Sequence, residues 1–140
     1  MLALQVGGKI RLGGDMATSI IQEYCSVHSL ISGMCVDAWN ILSYEGVQVH
    51  AAHGYLLSQF LSPLTNRRTD RYGGCSENRR RLLRDIITTI RRREGTSFAI
   101  SVKINSADFQ KGGFSKEESF DVVRMLCDLK VDLIEVSGGE

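Results

Sequence analysis

The sequence predicts an α/β fold with parallel strands, and three observations predict it. Runs around Val47 to Val49, Phe98 to Ile104 and Val131 to Val136 have the length and β-branched content of strands. Helical patterns separate them, and the order strand, helix, strand, helix, strand leaves each connection long enough for a crossover between parallel neighbours. The first two runs also end in residues able to do chemistry: His50, His53 and Tyr55 after one, Lys103 and Asn105 after the other. The C-terminal ends of parallel strands are where α/β proteins gather their sites.

Composition narrows the class. A chain of 140 residues with 43% hydrophobic and 24% charged residues suits one modest globular domain and argues against disorder. With 17 basic against 16 acidic residues the net charge is +1, so no overall field draws the chain to nucleic acid or to a membrane. Cys25, Cys35, Cys75 and Cys127 lie far apart without a Cys-x-x-Cys pair, which points to reduced thiols of a cytoplasmic protein and to neither a zinc site nor a disulfide scaffold. The N-terminus lacks a basic leader and no apolar run reaches membrane-spanning length, so a soluble chain without a metal is expected.

In order along the chain, residues 1–16 hold Gly7, Gly8, Gly13 and Gly14 around Lys9 and Arg11 and carry no complete nucleotide-binding fingerprint. Asp15 is placed to cap a helix in which Ile20, Ile21, Tyr24, Val27 and Ile31 recur at helical spacing until Gly33. Trp39, Ile41 and Leu42 fit either a helix end or the approach to the first strand. Residues 1–45 are therefore expected to be a partly helical N-terminal segment, and the regular alternation occupies 46–140. Leu56, Leu57, Phe60 and Leu61 predict a short helix that Pro63 ends. In the loop that follows, Arg67, Arg68 and Arg71 are near enough to Asp70 for local ion pairs. Ser76 is expected to cap a helix whose stripe of Leu82, Leu83, Ile86, Ile87 and Ile90 faces inward, while Arg79, Arg80, Arg84, Arg91 and Arg93 face water and Gly95 closes it. Ser115 and Glu118 make a capping box for a helix with Phe120, Val123, Met125, Leu126 and Leu129 inward.

The stretch from His50 to Tyr55 concentrates the chemistry. On a continuing strand His50 and His53 would face opposite ways, but small Ala51 and Ala52 and permissive Gly54 mark a strand breaking into a loop, where both imidazoles can converge. A single histidine at a strand end is ordinarily a structural hydrogen-bonder, and Tyr55 can pack inward with Leu56, Leu57 and Phe60. Two histidines and a tyrosine together leave the structural and the functional readings both open.

A longer pattern bears on the choice. His50-Ala-Ala-His53-Gly-Tyr55-Leu-Leu-x-x-Phe-Leu-Ser-Pro, then Asn66-x-Arg68-x-Asp70-x-Tyr72-Gly-Gly, Glu77-Asn78-Arg79, the Lys103-Ile-Asn-Ser-Ala-Asp-Phe strand end and Asp132-Leu-Ile-Glu-Val-Ser-Gly-Gly resemble the Old Yellow Enzyme family of FMN-dependent oxidoreductases. The resemblance runs from about Gly46 to Gly139 and implies a (β/α)8 TIM barrel, of which this chain holds the fourth, fifth and sixth strands with their helices. It implies FMN as cofactor, NAD(P)H as hydride donor and an α,β-unsaturated carbonyl compound as substrate, an ene-reductase chemistry. The positions matching His50 and His53 bind the substrate's carbonyl oxygen, and the one matching Tyr55 protonates the α-carbon. Two N–H donors aimed at one oxygen stabilise the charge that develops there, and a phenol is a neutral donor at physiological pH. Lys103 matches a basic residue, often arginine, beside the N1 and O2 edge of the flavin, where a cation favours the reduced ring; a strand-end lysine reaching water is the other reading. The Asn66 to Arg79 segment is assigned no chemistry.

Residues 1–42 do not resemble the family's approach to this strand, so the chain is expected to be a piece of an enzyme, inactive by itself. A different class of function also has a footing in the sequence. Between Arg67 and Arg93 stand ten arginines and three acidic residues, a pattern open to RNA or another polyanion, although no set of aromatic residues for stacking accompanies it and a solvated helix face explains it more simply.

Overall fold

The computed structural model describes residues 46–138, and the helix expected from Asp15 and the Trp39 region lie outside them. Strands β1 (Gly46–Ala51), β2 (Ala99–Asn105) and β3 (Leu133–Ser137) form one parallel sheet in that order. Register pairs His50 with Lys103 and Lys103 with Glu135, while Ala51 pairs with Ile104 and Asn105 with Ser137. Period-two alternation then separates two faces. Val47, Val49, Ala51, Ile100, Val102 and Ile104 are buried in the core. Gln48, His50, Lys103 and Glu135 share the other face. Gly46 opens β1 because a Cβ there would lie 2.6 Å from the Ala99 carbonyl oxygen, closer than any side chain permits.

Four helices lie between the strands: α1 (Leu56–Leu61), α2 (Ser76–Arg79), α3 (Arg81–Glu94) and α4 (Lys116–Asp128). The expected stripe on α3 is the buried one, and Gly95 ends that helix with φ 77°, a conformation open to glycine at little cost. Ser115 and Glu118 form the complete capping box at the start of α4. Among the described residues no helix is long and apolar enough to cross a membrane.

Three expectations need correction. Ser76 is the first residue of α2 and not its cap; Cys75 takes that place without a side-chain bond, and the helical run breaks at Arg80 before α3 begins. Arg79, expected in water, is only 6% exposed. Its Nε donates to the Leu61 carbonyl at 2.9 Å, and its guanidinium also binds the Gly74 carbonyl and Glu118. Because α2 is separate from α3, Arg79 does not share the polar face of α3 that the helical spacing implied. Phe120 is 66% exposed, since Ser119, Val122 and Leu126 set the inner stripe of α4 and the next residue after Ser119 turns away from it. Val123, Met125 and Leu129 pack at the margin of the core as expected.

The loop between α1 and α2 is tied by its own polar groups. Buried Asn66 donates through Nδ2 to the carbonyls of Phe60 at 2.7 Å and Tyr72 at 2.8 Å. Arg68 pairs with Asp70, whose Oδ1 also accepts from the Tyr72 N–H at 3.1 Å. Arg67 and Arg71 turn elsewhere, Arg67 toward the Leu64 carbonyl and Arg71 to the Tyr72 hydroxyl.

Candidate active site at the end of the first strand

β1 ends at Ala51, and two consecutive residues with positive φ, His53 at 56° and Gly54 at 66°, turn the chain sharply into α1. Glycine takes that conformation freely, whereas histidine adopts it uncommonly and needs a local hold. Asn105 supplies one: its Oδ1 accepts from the His53 backbone N–H at 3.1 Å. The Tyr55 N–H closes the turn on the Ala52 carbonyl at 3.2 Å.

The turn brings three of the expected site residues together. The ring centroids of His50 and His53 are 5.4 Å apart at 84°, and those of His50 and Tyr55 are 4.9 Å apart at 61°. Tyr55 does not pack into the core; it is half-buried, while Leu56, Leu57 and Phe60 behind it are buried. Among the described residues no protein group hydrogen-bonds His50 Nε2, His53 Nδ1 or the Tyr55 hydroxyl.

Electrostatics defines the state of His50. Its Nδ1 accepts from the Ala52 N–H at 3.2 Å, so that nitrogen carries no proton and the neutral ring holds its hydrogen on Nε2. Burial holds the His50 pKa below its ordinary value, His53 and Lys103 lower it further, and Glu135 opposes them. His50 is thus a neutral N–H donor at physiological pH.

Lys103 sits beside His50 in the sheet register. It does not simply reach water: Nζ lies 2.8 Å from Glu135 Oε1, and Glu135 Oε2 accepts from Gln48 Nε2 at 3.0 Å. The Lys103 hydrogen bond, then that of Gln48, holds the Glu135 carboxyl below the usual range. Gln48, Glu135 and Ser137 were not singled out in the sequence. Their signal was polar residues at alternate positions of otherwise apolar strands, in phase with His50 and Lys103.

The amino-acid sequence matches the model of the NADH:flavin oxidoreductase / NADH oxidase family over residues 14–140. The chain belongs to that family. An NADH-dependent flavin oxidoreductase of Aspergillus parasiticus is 45% identical over 97 residues, which are 69% of this chain and 22% of that protein. A structure of 2-naphthoyl-CoA reductase with 2-naphthoyl-CoA superposes with a TM-score of 0.65 at 38% identity, over 68% of this chain and 14% of that one. An old yellow enzyme homologue of Zymomonas mobilis gives 0.62 at 30% identity, over 92% and 35%. The chain spans 15–28% of the length of the curated relatives compared with it. Its three parallel strands and their helices match one part of the (β/α)8 barrel of the old yellow enzymes.

The residues present fit the flavin that this family uses. Lys103 offers a cation on the polar face of the sheet, and the Gln48 amide oxygen beside it has no hydrogen-bond partner among the described residues, a donor and an acceptor suited to the mixed edge of the ring's pyrimidine half. Asn105 is 2% exposed and its Nδ2 has no hydrogen-bond partner, which leaves a buried donor for an acceptor supplied from outside the described residues.

Proposed function

We propose that this chain supplies the substrate-binding and proton-donating residues of an FMN-dependent, NAD(P)H-linked reductase of α,β-unsaturated carbonyl compounds. The observation that carries the reading is the convergence of His50, His53 and Tyr55, with one nitrogen of each imidazole and the Tyr55 hydroxyl unpartnered among the described residues. When bound, reduced FMN would supply the hydride for the substrate's β-carbon. His50 Nε2–H and His53 bind the carbonyl oxygen and stabilise the negative charge that grows there, each donor being worth roughly 3 kcal/mol in such a hole. Tyr55 gives its phenolic proton to the α-carbon, and solvent restores that proton. Hydride and proton together saturate the C=C bond.

Lys103 is the residue proposed to face the flavin, its ammonium group fixed by Glu135, which Gln48 holds in turn. Lys103 by itself is a weak hold on a cofactor. The outer sides of β1 and β3 have no strand partner among the described residues, and Leu133 and Val136 on β3 are 54% and 57% exposed. Such edges and faces are covered in a closed barrel. The 140-residue chain alone is therefore expected to bind FMN weakly and to reduce no alkene. Titration with FMN, read by flavin fluorescence, tests this; sub-micromolar binding by a monomer would overturn it.

The site reading is tested in a complete barrel, with this chain's residues replacing the matching segment of the Aspergillus relative. Tyr55→Phe is expected to slow alkene reduction about a hundredfold or more, the scale of a lost general acid, and to leave flavin reduction by NADH unchanged. Stopped-flow measurement of both half-reactions separates the outcomes, since equal loss in both would make Tyr55 a structural residue. The arginine-rich stretch does not favour a polyanion site: Arg68, Arg79, Arg80, Arg84 and Arg91 are each engaged in an ion pair within the chain.

A further inference from the structure

His53 is held at two points by residues distant in sequence. Asn105 fixes its backbone, and the Ser137 hydroxyl lies 2.5 Å from its ring Nε2. Ser137 stands at the last position of β3, and its register partner on β2 is Asn105, so the two holds come from neighbouring strand ends. The ring contact is the only side-chain hydrogen bond of Ser137 among the described residues.

Which atom donates in that contact decides what His53 offers on its other side. If Nε2–H donated to the serine oxygen, Nδ1 would be a bare acceptor, and a carbonyl oxygen placed against it would meet a lone pair. If the hydroxyl donates to Nε2, the neutral ring must carry its hydrogen on Nδ1, the nitrogen without a partner among the described residues. His50 is set the opposite way, with Nδ1 occupied by the Ala52 N–H and the hydrogen on Nε2. The two rings, nearly perpendicular, would then each present an N–H from a different ring position.

We propose that Ser137 is a positioning residue that donates its hydroxyl hydrogen to His53 Nε2 and thereby fixes the tautomer with hydrogen on Nδ1, which makes His53 a donor matched to His50. The proposal rests on the reductase reading for its purpose, because a pair of matched donors is what an enone oxygen requires. It does not rest on that reading for its test. Tautomers are visible without cofactor or substrate.

The experiment is NMR of the full chain labelled with ¹⁵N in its histidines, at alkaline pH, in solution or, where the chain self-associates, as a sediment under magic-angle spinning. Only three histidines are present, so replacing each in turn assigns the signals. Wild-type His53 is expected to show a protonated, pyrrole-type Nδ1 and a pyridine-type Nε2. In Ser137→Ala the His53 pattern should be lost and move toward the exchanged arrangement, with hydrogen on Nε2, which an unrestrained histidine favours in water. Ser137→Thr, which keeps a hydroxyl, should restore the wild-type pattern. His50 is the internal control, because its tautomer depends on Ala52 and a loss of fold would disturb both rings. A wild-type His53 with hydrogen on Nε2, or a His53 pattern unchanged in Ser137→Ala, overturns the proposal. Failure of the two half-reactions to separate in Tyr55→Phe would overturn the reductase reading and leave this result standing.

Discussion

Two short segments on either side of α1, the stretch from His50 to Tyr55 and the loop from Asn66 to Arg79, both carry hydrogen-bonding side chains, yet they direct that capacity differently. In the loop the fold consumes it: Asn66 holds two carbonyls, Asp70 takes Arg68 and the Tyr72 N–H, and Arg79 binds two carbonyls and Glu118. In the turn, backbone and one nitrogen of each imidazole are fixed, while the second nitrogens and the Tyr55 hydroxyl have no hydrogen-bond partner among the described residues. A buried polar group without a partner is costly, and a half-exposed one aimed at a common point is the usual mark of a ligand site. Both segments carry residues of the pattern that resembles the old yellow enzymes. Only the direction of their unused donors separates the structural one from the candidate site.

The largest effect that would break this contrast belongs to Arg79. Arg79→Met leaves the Leu61 and Gly74 carbonyls and the partly buried Glu118 carboxylate without their donor. Removing one partner of such a buried pair typically costs about 3–5 kcal/mol, and that loss is expected in the urea midpoint followed by circular dichroism. A loss under about 1 kcal/mol, the scale of a surface ion pair, would show that the loop does not depend on its polar ties.

The core strands were legible because periodicity alone identifies them. Val47, Val49 and the run from Phe98 to Ile104 alternate or cluster as buried parallel strands do, and the helix stripes on α3 follow from spacing. The convergence of His50, His53 and Tyr55 was legible too, since Ala51, Ala52 and Gly54 mark the end of the strand. The supporting residues were not. His53 meets Asn105 52 positions away and Ser137 84 positions away, and those meetings depend on the registers of two strand pairs at once. Arg79 was misplaced for a related reason: its partners lie on α1, its own loop and α4, and a helical wheel contains none of them. Phe120 failed more simply, because hydrophobic type is weaker evidence of burial than position on the stripe.

A smaller effect is expected on acidification, and it singles out His50, because the other groups held below their ordinary values among the described residues are carboxyls. The His50 pKa in the fold lies below its ordinary 6.5, so between those two values the unfolded chain binds more protons. His50's contribution is therefore fully present above pH 6.5 and is lost as pH falls through the folded value. His53 and Lys103 add to this depression, and Glu135 opposes it. In the loop Asp70 is depressed chiefly by its hydrogen bond with Arg68, so its contribution persists until the carboxylate range is reached. Urea midpoints measured from pH 7.5 down to pH 3.5, a span set by the ordinary histidine and carboxylate values of roughly 6.5 and 4, should fall in two stages. His50→Asn should remove the upper stage alone. An upper stage that survives the substitution would locate it elsewhere.

The smallest effect gives the most discriminating comparison, because it sets one tyrosine against another. The Tyr72 hydroxyl donates to Asp85 at 3.3 Å and accepts from Arg71 at 2.9 Å, while the ring is buried. Tyr72→Phe keeps the ring and removes both of these hydrogen bonds, a change typically worth about 1 kcal/mol. The Tyr55 hydroxyl has no such partner among the described residues, and its ring contact with His50 needs no oxygen. Tyr55→Phe is accordingly expected to move stability by less than about 0.5 kcal/mol, the range of substitutions that disturb no native contact. The same variant is expected to cost alkene reduction far more than this, so Tyr55 is the residue for which stability and chemistry should part most widely. If both tyrosines cost about the same in the urea midpoint, the hydroxyl of Tyr55 is part of the fold, and the donors at the end of β1 were never held free for a substrate.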